Sequence, residues 1–371
     1  MIYDVAIIGG GLAGLSLSID LAMRGRTVVL VEKGSYPRHK VCGEFISMES
    51  HNYLVKLCPQ LATMKLPMIS KFLLTTTGRA EFKTKLDLGG FGISRYVLEE
   101  LLFQKAVDAG VVVKLNTKVS GIANEKSGES IMKISDGELK SRIVCNATGR
   151  KSNFEVKEFG RSLSNVNYVG VKYHVKIDRD PNQIEIHNFP GGYCGISDIE
   201  QNISCLCYIV NSENLRKAGN RIPELEERFL FRNEKLKFIF RNSDFVFKEP
   251  LTISGINFRI KKTVEDNIFY LGDSAGSIAP ITGNGMSMAF RSAWKLAAEL
   301  DSFLTGSISE MQLWINYQKF WKNEFESRIK FSRYLQKLSE YPILTKGVIN
   351  IFNVVPSLAD RVIKYSHGCS F

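Results

Sequence analysis

Gly9-x-Gly11-x-x-Gly14 follows directly on a short apolar run, residues 3–8, and this arrangement constrains the chain more than anything else in its 371 residues. Each glycine answers a separate demand. Gly9 permits a tight turn, Gly11 lets the backbone come close to a pyrophosphate, and Gly14 allows a helix to pack against the strand it has just left. The unpaired N–H groups of the helix start then face an anion. The pattern predicts a strand over 3–8, a helix that opens through Leu12 and Ala13 and runs to Met23, and a second strand over 27–31. Glu32 ends that strand 18 residues after Gly14, followed by Lys33, and an acid so placed accepts from a ribose hydroxyl. A glycine turn without a ligand would leave this acid unexplained.

A second glycine-plus-acid turn, Gly272-Asp273, comes about 240 residues later at the end of a predicted strand over 268–271. Pro280 and Gly283-Asn284-Gly285-Met286 follow, and a helix is expected over 285–304. An acid at that strand end can hold a second polyol, the ribityl chain of a flavin. The Gly-Asn-Gly turn at a helix start offers backbone donors to the N1–O2 edge of a reduced isoalloxazine. Plain NAD dehydrogenases have no use for this element, so the two turns in this order predict FAD.

Between the turns, residues 34–47 lack periodicity and read as a long loop, and loops of that length inside a domain are usually functional. Strands are expected over 69–76 and 80–83, a helix from Arg95 to Ala109, and strands over 111–115, 119–124, 131–135 and 143–147. Short β-rich runs over 166–177, 184–187, 192–196 and 203–210 alternate with turn residues and predict an antiparallel sheet. A helix over 225–240 and a strand over 245–253 come next, and the last 60 residues read as mainly helical. The expected fold class is α/β: a Rossmann-type FAD-binding domain (1–69, 90–160 and 255–305) with an inserted, mainly antiparallel substrate sheet (70–89 and 161–254) and a helical C-terminus (306–371).

Bulk properties narrow the function further. Seven cysteines without a Cys-x-x-Cys pair suggest neither a disulfide framework nor a zinc site, and a reducing cytoplasm fits them best. The net charge of +11 is spread along the chain without a Lys/Arg block, which argues against nucleic acid as a partner. Attraction to anionic cofactors, or weakly to anionic lipid, accounts for it. The apolar stretch 343–363 is too interrupted to span a membrane, and ordinary packing against the sheet is the first expectation for it, ahead of walling a hydrophobic tunnel or resting on a membrane surface.

These motifs resemble the flavoprotein monooxygenases with a glutathione-reductase-like FAD domain, and most closely their geranylgeranyl reductase branch, over about residues 3–300. The resemblance rests on Gly9, Gly11, Gly14 and Glu32, on Arg95 with Leu98-Glu99, on Ala147-Thr148-Gly149, and on Gly272-Asp273 through Gly285. It implies that Arg95 contacts the FAD phosphates or ribityl chain and that the backbone near Val119 meets the adenine. Pro37-Arg38-His39-Lys40-Val41-Cys42-Gly43 matches the Pro-x-x-Tyr-x-Cys-Gly loop of the reductases except for Lys40, which sets Arg38, Lys40, Cys42 and Gly43 beside the cofactor. Thr148-Gly149 stands where hydroxylases of the family carry Asp-Gly, an acid that supports NAD(P)H binding. NAD(P)H is nonetheless the expected electron donor. Flavin halogenases are also similar but need a Trp-x-Trp-x-Ile-Pro motif, and Trp294, Trp314 and Trp321 lie too late for it.

Cys42, beside Arg38, His39 and Lys40, sits in an electropositive setting of the kind that activates thiols, and it is the one candidate catalytic side chain. His187 and Tyr193, with His174, are candidates for contact with an apolar small-molecule substrate. No metal-ligand set emerges. The leading expectation is a flavin-dependent hydroxylase of an aromatic polyketide or phenolic lipid, ahead of a reductase of isoprenoid double bonds. A prenyl-binding escort like the Rab GDP-dissociation inhibitors is a third reading, opposed by the retention of Glu32 and Gly272-Asp273.

Overall fold

Val5 to Ile8 of β1 (Ile2–Ile8) are buried, as is all of β2 (Val28–Val31), because helices cover both faces of the sheet they share. The computed structural model describes residues 1–125, 128–150 and 167–371, and the expected boundary between 160 and 161 lies outside them. The glycine turn links β1 to α1 (Leu12–Met23). Beyond β2 come β3 (Phe45–Ser47), α2 (His51–Leu57), β4 (Met68–Thr75), β5 (Glu81–Gly92) and α3 (Arg95–Asp108). Ser94 caps α3 by accepting from the Val97 N–H. β6 (Val112–Lys114), β7 (Val119–Asn124), β8 (Ser130–Ile134) and β9 (Gly137–Asn146) complete the first half.

The second half opens with β10 (Tyr168–Lys176), β11 (Gln183–Phe189), β12 (Gly192–Ile199) and β13 (Ile203–Asn211). Three short helices follow, α4 (Ser212–Lys217), α5 (Ile222–Arg228) and α6 (Glu234–Asn242), then β14 (Asp244–Phe245), β15 (Leu251–Ile256), β16 (Val264–Glu265) and β17 (Ile268–Tyr270). The helical end comprises α7 (Gly285–Leu304), α8 (Glu310–Trp321), α9 (Ser327–Leu338), α10 (Pro342–Val354) and α11 (Pro356–Ser366).

One sheet has the order β16-β17-β9-β1-β2-β6, with β8 and β7 added beside β9, and its four central pairings are parallel. Its core joins α1, α3, α7 and α8 to both faces. The other has the order β14-β10-β13-β12-β11-β4-β5-β3, with β15 also on β10, and is antiparallel except between β11 and β4. Period-two alternation divides its faces. Val169, Val171, Tyr173 and Val175 of β10 pack with Leu225, Leu230, Leu236 and Ile239 of the helical layer. Gly170, Lys172 and His174 take the opposite face.

Several expectations need correction. The helix expected over 225–240 is broken at Asn233, whose side-chain oxygen accepts from Lys235 N–H to start α6 while its amide donates to Thr75 Oγ1 and the Asn188 carbonyl. The strand expected over 245–253 is two strands with Pro250 between them. The loop over 34–47 ends in β3, which pairs with Gly90 to Gly92, so the second sheet recruits a strand from the segment 1–69. β5 continues well past residue 83 through Leu86-Asp87-Leu88-Gly89-Gly90, a stretch without the β-branched residues that would announce it.

Candidate functional site

The parallel register sets Ile8 opposite Val31 and Asn146, and Asn146 opposite Tyr270, so four strands end side by side. In open α/β sheets, ligands bind outside that carboxyl edge. A cavity of about 1300 Å³ opens there, larger than the 300–1000 Å³ that one small ligand fills. Every residue assigned to the cofactor from the sequence lines it except Gly14. Gly14 lies under the turn, where a Cβ would come within 2.0 Å of the Gly9 carbonyl oxygen. Gly11 instead faces open space, with Lys40 Nζ the nearest atom, 3.8 Å from where a Cβ would stand.

Glu32 is fixed from several sides. Its Oε2 accepts from Gly10 N–H at 2.7 Å and its Oε1 from Gly34 N–H at 2.9 Å and Arg38 Nη1 at 2.6 Å. Burial works to raise its pKa, but Arg38 and the two backbone donors outweigh that and hold it at about 2. Arg38 also donates to Glu99 at 3.0 Å and to the Gly10 carbonyl at 2.9 Å. Lys40 lies 3.4 Å from Glu99, which also pairs with Arg95 on the same face of α3. Three cations thus meet two carboxylates, leaving one net positive charge beside the glycine turn. Burial, with Arg95 adding to it, depresses Lys40 to about 8.

The second turn mirrors the first. Gly272 adopts φ +59°, a conformation glycine tolerates, and its N–H donates to Ser292 Oγ at 3.1 Å. Asp273 lines the cavity with Arg150 Nε 3.4 Å from its Oδ2. Thr148 binds back onto Asn146 through its N–H and hydroxyl, and Gly149 N–H donates to Ser274 Oγ, which ties the two strand ends together. The first residues of α1 and α7 line the cavity and neither helix has a side-chain cap, so both present bare N–H groups to it. These features fit FAD: one uncapped helix start and the surplus cation for the pyrophosphate, Glu32 and Asp273 for the two polyols, and the start of α7 for the ring.

Cys42 lines the cavity beside that start, 3.7 Å from Met286 Sδ. Tyr193 lines it as well. His187 does not: its neighbours Ile186 and Asn188 face the cavity, while its ring bonds to Thr75 Oγ1 at 2.8 Å and pairs with Glu185 at 3.1 Å. It is a structural histidine, and its assignment to substrate is withdrawn.

A buried ion cluster was not foreseen. Glu44 receives Lys172 Nζ at 2.5 Å, His174 Nε2 at 2.6 Å and Arg95 N–H at 2.7 Å, and Lys172 also donates to the Lys40 carbonyl at 3.2 Å. Burial opposes the charge of Glu44, but His174 and Lys172 keep its pKa below the usual carboxylate range. Ligand atoms of Glu44, His174 and Cys205 gather within 4.8 Å, yet the Lys172 ammonium already neutralises the carboxylate there. The cluster clamps the loop after β2 onto the second sheet. Its one sequence trace is the pair Lys172 and His174 on a single face of an otherwise apolar strand.

The remaining lining is of a different kind. β4, β5 and β11 contribute Phe72, Leu74, Phe82, Leu86, Ile184 and Ile186, β15 adds Ile253 and Ile256, and α9 to α11 add Phe331, Leu335, Val348, Phe352, Val362 and Ile363. Among the described residues, none that these elements contribute to the lining is charged. His367, just beyond α11, is kept below the usual histidine pKa by burial.

The family described as Lycopene cyclase protein matches residues 4–190. Conditioned medium factor receptor 1 of Dictyostelium discoideum is 25% identical over 94% of this chain and 73% of its own length. A digeranylgeranylglycerophospholipid reductase of Methanocaldococcus jannaschii is 24% identical, with 91% of this chain and 88% of the relative covered. Among solved structures, a flavin-dependent brominase superposes with a TM-score of 0.80 at 19% identity, covering 100% of this chain and 94% of its own. A flavoprotein/dehydrogenase from Cytophaga hutchinsonii superposes with a TM-score of 0.76 at 17% identity, covering 98% and 99%. At these identities the two structures establish the α/β fold with its second sheet and helical end.

Proposed function

The chain belongs to the lycopene cyclase family, within the FAD-dependent oxidoreductases, and from that premise we propose that it reduces carbon–carbon double bonds of a long isoprenoid lipid. The observation that carries this reading is the segregation of the cavity lining. All the charged lining residues come from the edge of the first sheet, α3 and the loops around them, while the second sheet and α9 to α11 offer a long uncharged wall. A polyprenyl chain suits such a wall, as the tail of a phenolic lipid also would, whereas a compact aromatic polyketide would leave much of it uncovered. Reductases of prenyl lipids among the relatives support the same choice, which reverses the order expected from the sequence.

When bound, FAD supplies the hydride, and NAD(P)H is the reductant we assign to it. The residues of the chain do the rest. Glu32 and Asp273 hold the polyols, and the starts of α1 and α7 and Lys40 meet negative charge. The apolar wall orients the prenyl chain and excludes water. To Cys42, beside the start of α7, we assign the proton that the second carbon needs. In this reading residues 1–69, 90–160 and 255–305 hold the cofactor, 70–89 and 161–254 face the substrate, and 306–371 close the tunnel.

The test is turnover of a geranylgeranyl lipid under anaerobic conditions with reduced flavin. Gain of two hydrogens per double bond without oxygen is the expected result. Oxygen consumption coupled to a product carrying an added oxygen atom would establish the hydroxylase instead.

A further inference from the structure

No single helix is long and apolar enough to cross a membrane, yet α10 and α11 turn an apolar face outward. Ile343 is 86% exposed and Val354 81%, and Leu344, Ile351, Val355 and Leu358 continue the same stripe. Isolated exposed apolar residues are ordinary, but a contiguous stripe over two helices marks a contact surface. The helices bend by 114° at the break before Pro356, and the 13 residues of α10 reach only about 20 Å, short of the roughly 30 Å hydrocarbon core. They are therefore shaped to lie in a bilayer surface. Lys346, Arg361 and Lys364 are exposed on the same two helices and make no ion pair among the described residues, against a single acid, Asp360. Unpaired cations around an apolar stripe complement a negatively charged headgroup layer.

The inner side of the same helices is continuous with the cavity, because Val348, Phe352 and Val362 line it. We propose that α10 and α11 dock the protein on an anionic phospholipid bilayer and that a lipid substrate passes between them into the cavity. Docking stands on this face alone, whereas delivery rests on the reading of the cavity as a lipid-substrate site.

Flotation of the FAD-loaded protein with vesicles of phosphatidylcholine and phosphatidylglycerol tests docking without turnover. The wild type should float with these vesicles, more weakly with phosphatidylcholine alone, and less as salt rises. I343E/V354E should lose binding by about tenfold or more with an unchanged flavin spectrum. Wild-type protein that stays unbound, or a dimer that I343E/V354E splits into monomers, would overturn the proposal, the second result giving the face to another copy of the chain. Delivery predicts that I343E/V354E turns over detergent-dispersed substrate normally and vesicle-borne substrate poorly. Equal rates on vesicles would refute it, and absence of turnover in both forms would fault the reductase reading while flotation still judged docking.

Discussion

Lys40 is the residue whose ionisation is most exposed to test. Burial holds its pKa at about 8, and its ammonium lies over the glycine turn where a pyrophosphate would raise that value. The sign follows from linkage: above pH 8 the free protein has lost the proton that the complex retains, so binding takes one up and weakens as pH rises. FAD affinity should fall by up to about tenfold per pH unit above that point, and calorimetry in buffers of different ionisation enthalpy should register the proton. Lys40→Met should bind more weakly at neutral pH and show a flat profile. Glu44 offers a second test, because Lys172→Met would remove the ammonium that neutralises its buried carboxylate and leave it only His174 and the Arg95 N–H. That single substitution should cost about 3–5 kcal/mol, and K172M/E44Q should recover much of the loss, as read from thermal midpoints. Equal loss in the single and double variants would show that the cluster is not an ion pair.

At the scale of elements, the glycine turn is the most demanding piece. A Cβ at Gly14 would stand 2.0 Å from the Gly9 carbonyl, so Gly14→Ala must push α1 off β1. A loss of about 1–3 kcal/mol and a larger loss of FAD affinity should accompany it, measured by thermal unfolding and fluorescence titration. This element was fully legible in the sequence, since Gly9, Gly11, Gly14 and Glu32 announce themselves by type and spacing. So was the start of α7, from Gly283-Asn284-Gly285. What escaped was tertiary. Asn233 breaks a helix because its amide is claimed by Thr75 and Asn188, far away in sequence. β5 hides behind Gly89-Gly90, and His187 looked free only because its partners Thr75 and Glu185 could not be placed. Glu44 could not be recognised before β10 brought Lys172 and His174 against it.

Across the whole molecule, two sheets divide the labour. The parallel one ends its strands together and assembles charge, and the antiparallel one, with the helical end, supplies an apolar wall. The net charge of +11 suits both an anionic cofactor and an anionic surface. Cofactor binding, and with it the proposed reduction, depends on the two glycine-plus-acid turns gripping one FAD. Titration of the flavin-free protein with FAD, followed by flavin fluorescence, measures this directly. Saturation at one FAD per chain is expected, with a loss of about 1–3 kcal/mol in affinity for Glu32→Ala and again for Asp273→Ala, and little retention by E32A/D273A. Unchanged binding in the double variant, or no uptake by the wild type, would contradict it.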